Sequence, residues 1–438
     1  MAEKAVLDIQ DKPDPLRWIV LSLQHMFAMF GATILVPTLV GLSPAMALLT
    51  SGIATFIFVI VTRFQVPAYL GSSFAFIAPI IMIREGGGTD GDIMIGIIAV
   101  SFIYSIISLI IWKTGHRWIM RLLPPIVVGP VIVVIGLGLA PTAIDMASMI
   151  PVFDELGNQI GSEYSLKHLT AAGVTLLTAV IVLMFFKGLI SLMPVIVGIV
   201  VGYIYSLAIG IVDFDPVLQA KVFAMPEFIF PVIHYDVNIS LMALSLMIPV
   251  VLVTVSEHIG HQLVLGRVVN RNYIENPGLH RSLLGDGLGT LISGLMGGPP
   301  KTTYGENIGV LAMTRVYSVY VILGAATFAI IFAFLGKVMA LIGTIPTAVL
   351  GGVSILLFGM IAASGLRMLV EHQIDFDSQR NLVIASVILV IGIGGATLKF
   401  IVPVLNVPFE LGGMALAAIV GVLLNLILPG RPKELIEE

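Results

Sequence analysis

Hydrophobic residues in this chain come in long runs, not at the period of two or three-to-four that a half-buried strand or helix shows. Stretches such as 93–112, 317–335 and 411–428 hold almost no charged side chain. Each approaches the roughly 20 residues that a helix needs to cross about 30 Å of hydrocarbon. No ten-residue segments of alternating polarity appear, so the pattern predicts spanning helices and not a membrane barrel. Fourteen apolar segments can be placed along the chain. Three of them are short or broken: the stretch after Arg63, "FQVPAYLGSSFAFIAPIIMI", and the segments 288–297 and 307–314. These read as half-helices, the first interrupted by prolines and glycines.

Composition agrees. Of 438 residues, 58% are hydrophobic and 11% charged, and the mean hydropathy is +1.07, which excludes a soluble fold of this size. There is no cysteine, hence no disulfide and no thiolate chemistry or cysteine-held metal. The leading "MAEKAVLDIQDKPDPLR" has no apolar stretch with a cleavage site, so no cleaved signal peptide is expected. With fourteen spans and both termini cytoplasmic, most of the 22 Lys and Arg residues fall inside, among them Lys4, Arg63, Arg315, Arg431 and Lys433. Only Arg84, Lys167, Lys221, Lys301, Lys337 and Lys399 fall outside, as the positive-inside rule requires. The outer loops 145–168 and 213–237 carry acids, including Asp154 and Glu155.

Two short matches suggest an internal repeat. Gln24-His25 aligns with Glu257-His258, and "SSFAF" at 72–76 aligns with "TTYGE" at 302–306. The partners stand 233 and 230 residues apart and are separated by seven spans, so the second copy is inverted and the two broken segments approach the membrane centre from opposite sides. The fold expected is an all-α polytopic membrane protein of 14 transmembrane segments in two inverted seven-span repeats, with short extended strands interrupting segments 3 and 10.

Glu257 is the sole Asp, Glu, Lys or Arg between Asp236 and Arg267. Ten helical steps to Arg267 place it about 15 Å inward, near the midplane. His261 shares its helical face, whereas His258 points about 100° away and reads as a satisfied structural group. A carboxylate at that depth costs about 2.5–3.5 kcal/mol and is a functional candidate by default; the alternative is an ion pair fixing helix packing. "GGPPKTTYG", 297–305, favours extended backbone with a helix starting near Glu306 or Asn307. Extended backbone at membrane depth needs a partner, and "VPAYLGSSF" supplies one, predicting a two-stranded contact between 66–74 and 298–304. For Glu306 the plain alternative is an acid neutralising a helix N-terminus.

Two carboxylates, free backbone groups and the aromatics Phe74 and Tyr304 suit two ligands. One is a hard dication. The other is a planar heterocycle with a CO–NH–CO edge, whose NH a carboxylate accepts while backbone NH groups serve the oxygens. Two acids this close would share a proton, which makes H+ a ready coupling ion, with His261 as its relay. No HExxH, nucleophile elbow or phosphate-binding loop is present, which argues against an enzyme.

"ENIGVLAMTR", 306–315, together with Gln24-His25, "LGSSFAFIAP" at 70–79 and "SEHIGH" at 256–261, resembles the nucleobase-ascorbate transporter family, also called nucleobase:cation symporter 2. The likeness covers about 17–428, and a Glu opening the signature resembles its uracil-transporting branch. That resemblance implies that Glu257 and Glu306 hold the polar edge of uracil or a closely related pyrimidine, and that Phe74 and Gly305 bind it through backbone. It also implies that Ser73 and Tyr304 sit at the pocket and that His261, Glu257 and Glu306 couple protons. Gln24, His25, Asn307, Gly309, Thr314 and Arg315 are signature positions, and Phe358 stands where relatives can carry a gate-side tyrosine. By the same resemblance, residues 17–122 and 238–336 form a core domain, and 123–237 and 337–428 a gate domain, between cytoplasmic tails 1–16 and 429–438. A proton-coupled symporter of the cell membrane is implied, working by alternating access, dimeric through the gate, without cofactor, metal or nucleic acid. A carrier of xanthine or another nucleobase, or an anion transporter of the same fold, is the alternative.

Overall fold

The computed structural model describes residues 5–153, 159–188, 190–402 and 407–430. The charges Lys4, Asp154, Glu155, Arg431 and Lys433, and the tail beyond residue 430, lie outside them. The molecule is mostly helical. Among the described residues, seven helices are long and apolar enough to cross a membrane, from Pro15–Leu39 to Thr347–Glu371, and four shorter apolar ones, Pro194–Ala208, Val319–Ala333, Gln379–Ile393 and Gly413–Ile427, accompany them.

Local sequence sets where helices begin. Ser43 caps the Pro44–Val61 helix by accepting from Met46 N, with Pro44 in the first turn. Thr89 and Asp92 form a reciprocal capping box at the start of Asp90–Thr114. Two helices are cut short by extended chain. β1 (Leu70–Ser72) leads through a 3-10 turn at Phe74–Phe76 into the nine-residue helix Ile77–Glu85. Later, Lys301–Thr303 is extended and leads into the ten-residue helix Gly305–Thr314.

Among the described residues, five further strands accompany β1. β2 (Met149–Phe153) and β3 (Gln159–Tyr164) form one antiparallel hairpin. β4 is the Lys301–Thr303 strand, and β5 (Leu398–Val402) and β6 (Val407–Leu411) form a second hairpin. Neither hairpin is predicted from sequence, where both stretches read as loop or span. β1 and β4 pair antiparallel, with Leu70 opposite Thr303, Gly71 opposite Thr302 and Ser72 opposite Lys301. The ladder is extended by Ser73 N donating to Pro300 O at 2.9 Å and Tyr304 N to Tyr69 O at 3.1 Å. Every residue of both strands is buried.

Three sequence expectations change. The segment read as a short half-helix at 288–297 is part of an 18-residue helix, Leu279–Met296. Its glycines mark close approach, not breakage: a Cβ on Gly285 would meet the Phe58 ring at 2.6 Å and one on Gly287 would meet Tyr104 at 2.8 Å. Lys301, counted among the outside charges, is fully buried, because β4 carries it into the interior. The polar N-terminal stretch is docked: Leu7 O accepts from Tyr317 N and Ile9 O from Val319 N, with Ile9 buried against the start of the Val319–Ala333 helix.

The crossing of β1 and β4 leaves no room at Gly71, where an added Cβ would run into the Tyr304 ring. Gly71→Ala is expected to destabilise the protein by about 1–3 kcal/mol through overpacking. Thermal unfolding in detergent checks this, and an unchanged midpoint would count against the packing described.

Candidate functional site

The two interrupted segments deliver their helix N-termini to one cavity of about 190 Å³. Its polar end is made by Glu257 and His261 from helix Val250–Val269, Thr302 of β4, and Gly305 and Glu306 at the start of the next helix. Tyr304 and Phe74 wall it beside them. The rest is mostly apolar, with Ala28, Met29 and Ala32 from the first helix, Ile132, Val195, Val310, Leu357 and Ile361, and the hydroxyl residues Ser191 and Ser364. Few polar groups in an apolar enclosure is the usual build of a small-molecule site.

Glu257 and His261 share one face because they are four residues apart on one helix. Gly305 abuts that histidine so closely that a Cβ would stand 2.9 Å from His261 Nε2, so only glycine lets the helix start pass there. The extended residues Thr303 and Tyr304 end at Gly305, whose first-turn NH groups have no partner within their own helix. Glu257 Oε2, Glu306 Oε1, His261 Nδ1 and Thr302 Oγ1 are all buried without a hydrogen-bond partner. Buried polar atoms are normally paired, so four orphans around one cavity mark a place built to receive a ligand. The Glu306 and Asp286 carboxyl groups both act electrostatically on Glu257.

The remaining sequence-derived positions fall into two groups. Gly309 also lines the cavity. Ser73, Gln24, His25, Asn307, Thr314, Arg315 and Phe358 do not. Ser73 Oγ is buried and unpartnered beside the ladder. Gln24 and His25 are buried in the first helix, and both ring nitrogens of His25 are orphaned. Asn307 Nδ2 donates to Pro67 O at 3.0 Å, tying the helix start to the segment before β1. Thr314 Oγ1 donates to Val310 O and accepts from Val316 N, and Arg315 ends the helix with φ of 55°. Phe358 packs edge-on against Phe74, ring centroids 5.8 Å apart, and reaches the site through that ring while its neighbours Leu357, Met360 and Ile361 face the cavity.

Sequence reasoning missed Asp286 and Thr302. His258 Nδ1 donates to Asp286 Oδ2 at 2.8 Å, and His258 Nε2 lies 2.9 Å from Ser282 Oγ; both members of the His258–Asp286 pair are fully buried. This pair ties helix Val250–Val269 to Leu279–Met296 directly behind the cavity wall, with Thr303 Oγ1 3.4 Å from the same ring. Tyr104 hydroxyl donates to Thr254 on the same helix. A lone intramembrane aspartate in "LLGDGLGT" was the available signal. Among the described residues no group of three His, Asp or Glu side chains converges as a metal site needs.

Breaking a buried pair by removing one partner costs about 3–5 kcal/mol. Asp286→Ala is therefore expected to lower the unfolding midpoint strongly, and Asp286→Asn, which keeps one acceptor for His258, to lower it less. Equal midpoints for both variants and the parent, read by thermal unfolding in detergent, would contradict the assigned pairing.

Comparison with known proteins fits this arrangement. Residues 16–401 match the profile described as the Permease family. The uracil permease of Bacillus caldolyticus is 60% identical over 430 residues, 98% of this chain and 96% of that one. That of Bacillus subtilis is 55% identical, covering 99% of this chain and 98% of the relative, and that of Escherichia coli K12 is 42% identical, covering 97% and 94%. Among solved structures, the transmembrane domain of the cyanobacterial bicarbonate transporter BicA superposes with a TM-score of 0.61 at 15% identity, covering 95% of this chain and 98% of that one. The murine anion transporter Slc26a9 in its inward-facing state gives 0.62 at 13% identity, covering 95% and 69%. At those identities the likeness speaks for the fold alone. Helices long enough to span, a family match over most of the length and relatives named as permeases lead to one conclusion: this multi-pass membrane protein belongs to the Permease family that its uracil permease relatives represent.

Proposed function

We propose that the protein imports uracil, or a closely related pyrimidine, together with protons across the cell membrane, both termini being cytoplasmic. The observation that carries this reading is the set of orphaned acceptors and donors around the cavity: Glu257 Oε2, Glu306 Oε1, His261 Nδ1 and Thr302 Oγ1. A CO–NH–CO edge complements them. A carboxyl group takes the ring NH, the first-turn NH groups at Gly305 and Glu306 serve a carbonyl oxygen, and Phe74 and Tyr304 cover the ring. The names of the full-length relatives support the same substrate class.

Proton coupling is the consequence of placing two acids against one ligand in an apolar enclosure. A bound proton neutralises one of them and lets it donate, so substrate and proton favour each other's binding. His261 stands one helical turn from Glu257 and is the natural relay. Transport then proceeds by movement of a core domain, 17–122 with 238–336, against a gate domain, 123–237 with 337–428. Because the cavity is lined from both sides of that division, such movement would open it to one face and then to the other. A homodimer through the gate is part of the proposal. The fold likeness to anion transporters gives the competing reading its one support, against which stand two carboxylic acids at the site.

Radiolabelled uptake into proteoliposomes tests both. Uracil should accumulate when the outside is made acid, with unlabelled uracil competing and xanthine, sulfate and bicarbonate failing to compete. Glu257→Gln and Glu306→Gln should each lower uptake by about tenfold or more, the worth of a hydrogen bond to a charged group. Undiminished concentrative uptake by both variants, or competition by bicarbonate but not by uracil, would refute the assignment.

A further inference from the structure

Lys301 is a buried amine that the transport scheme does not use. It has no solvent exposure, and no ion pair among the described residues includes it. Its Nζ donates instead to two neutral acceptors on one face of the Pro44–Val61 helix, Ala47 O at 3.0 Å and Ser51 Oγ at 2.9 Å. A strongly hydrated head group placed against neutral partners is a costly way to fill space; an apolar side chain of equal length would pack there with less loss of solvation. What apolar contact lacks is direction. A hydrogen-bonded amine fixes how far the strand slides past the helix.

The opposite side of β4 is held in the same manner. Thr290 Oγ1, from helix Leu279–Met296, donates to Lys301 O and accepts from Lys301 N, both at 3.1 Å. Ser293 Oγ donates to Pro299 O at 2.6 Å and lies 3.1 Å from Thr50 Oγ1. Gly298 threads between these helices so tightly that a Cβ would meet Thr50 Oγ1 at 2.5 Å and Ser293 Oγ at 2.6 Å. The strand is thus gripped between two helices, and the chain enters the cavity wall at Thr302, next to Lys301, and continues along it through Tyr304, Gly305 and Glu306.

We infer that Lys301 is a positioning residue for the ligand site: its side chain latches β4 to the Pro44–Val61 helix and thereby fixes where the Gly305–Thr314 helix start, with Glu306, stands in the cavity. The affinity consequence rests on the uracil reading; the positional consequence does not. Lys301→Met keeps the stem and removes the latch, and Ser51→Ala removes one of its two acceptors.

The chain has no cysteine, and Gly309, which lines the cavity, has open space where a Cβ would stand. A Gly309→Cys thiol therefore reports the position of that helix through its rate of maleimide labelling. In purified, folded protein, Lys301→Met should change that rate and weaken uracil binding by about tenfold, the loss expected if the Glu306 carboxyl no longer bonds the ligand well. Ser51→Ala should shift both in the same direction, by less. An unchanged labelling rate, or unchanged uracil affinity in a parent that binds uracil, would overturn the inference. If Lys301→Met does not fold, Ser51→Ala decides by the same two criteria. A parent that does not bind uracil, with labelling still altered by Lys301→Met, would leave the latch standing and remove the substrate assignment.

Discussion

Backbone NH and CO groups buried away from water must find partners, and the pairing of β1 with β4 is how this protein meets that demand where two helices stop inside it. The ladder is only three residues a side, yet it determines everything about the site. It stands just before two helix starts and brings Phe74 and Gly305 to the wall of one cavity. Ser73 N to Pro300 O and Tyr304 N to Tyr69 O extend the pairing by one bond at each end. Without that crossing, neither Glu306 nor the NH groups beside it would face Glu257.

Around this crossing some polar side chains join elements of the wall, and others leave polar atoms unpaired at the cavity. His258 with Asp286 and Ser282, Thr290 with Lys301, and Asn307 with Pro67 O are paired, and each joins two elements of the wall. Glu257, Glu306, His261 and Thr302 keep atoms unpaired, and each faces the cavity. The paired contacts behind the site tie its wall together, although Asp286 Oδ1 and Asn307 Oδ1 stay unpaired, and a ligand would satisfy the unpaired atoms in front. Phe358, edge-on to Phe74, links the aromatic cover of the site to the Thr347–Glu371 helix.

How much of this could be read from sequence depended on whether a residue's type betrayed its surroundings. Glu257 and Glu306 stood out because charge is rare in apolar segments, and "GGPPKTTYG" beside Glu306 gave away the extended backbone before its helix. Lys301 misled, because a lysine next to two prolines looks like a loop charge; only the strand's course shows it buried. Asp286 was overlooked because Gly285, Gly287 and Gly289 suggested a broken helix, whereas they are contact points where Phe58, Tyr104 and Ala54 press close. The hairpins β2–β3 and β5–β6 depend on pairing between segments of mixed polarity, which leaves no periodic trace. Among the described residues, the seven helices long and apolar enough to span and the four shorter apolar ones were legible as apolar runs.

In the proposed function, the paired extended segments and the helix starts that follow them form the ligand site. Amide hydrogen exchange, measured by mass spectrometry on purified protein with and without uracil, tests it most directly. The account predicts that uracil slows exchange in 66–76 and 298–307 above all other parts of the chain. Protection elsewhere, with exchange in these two segments unaltered by saturating uracil, would contradict it.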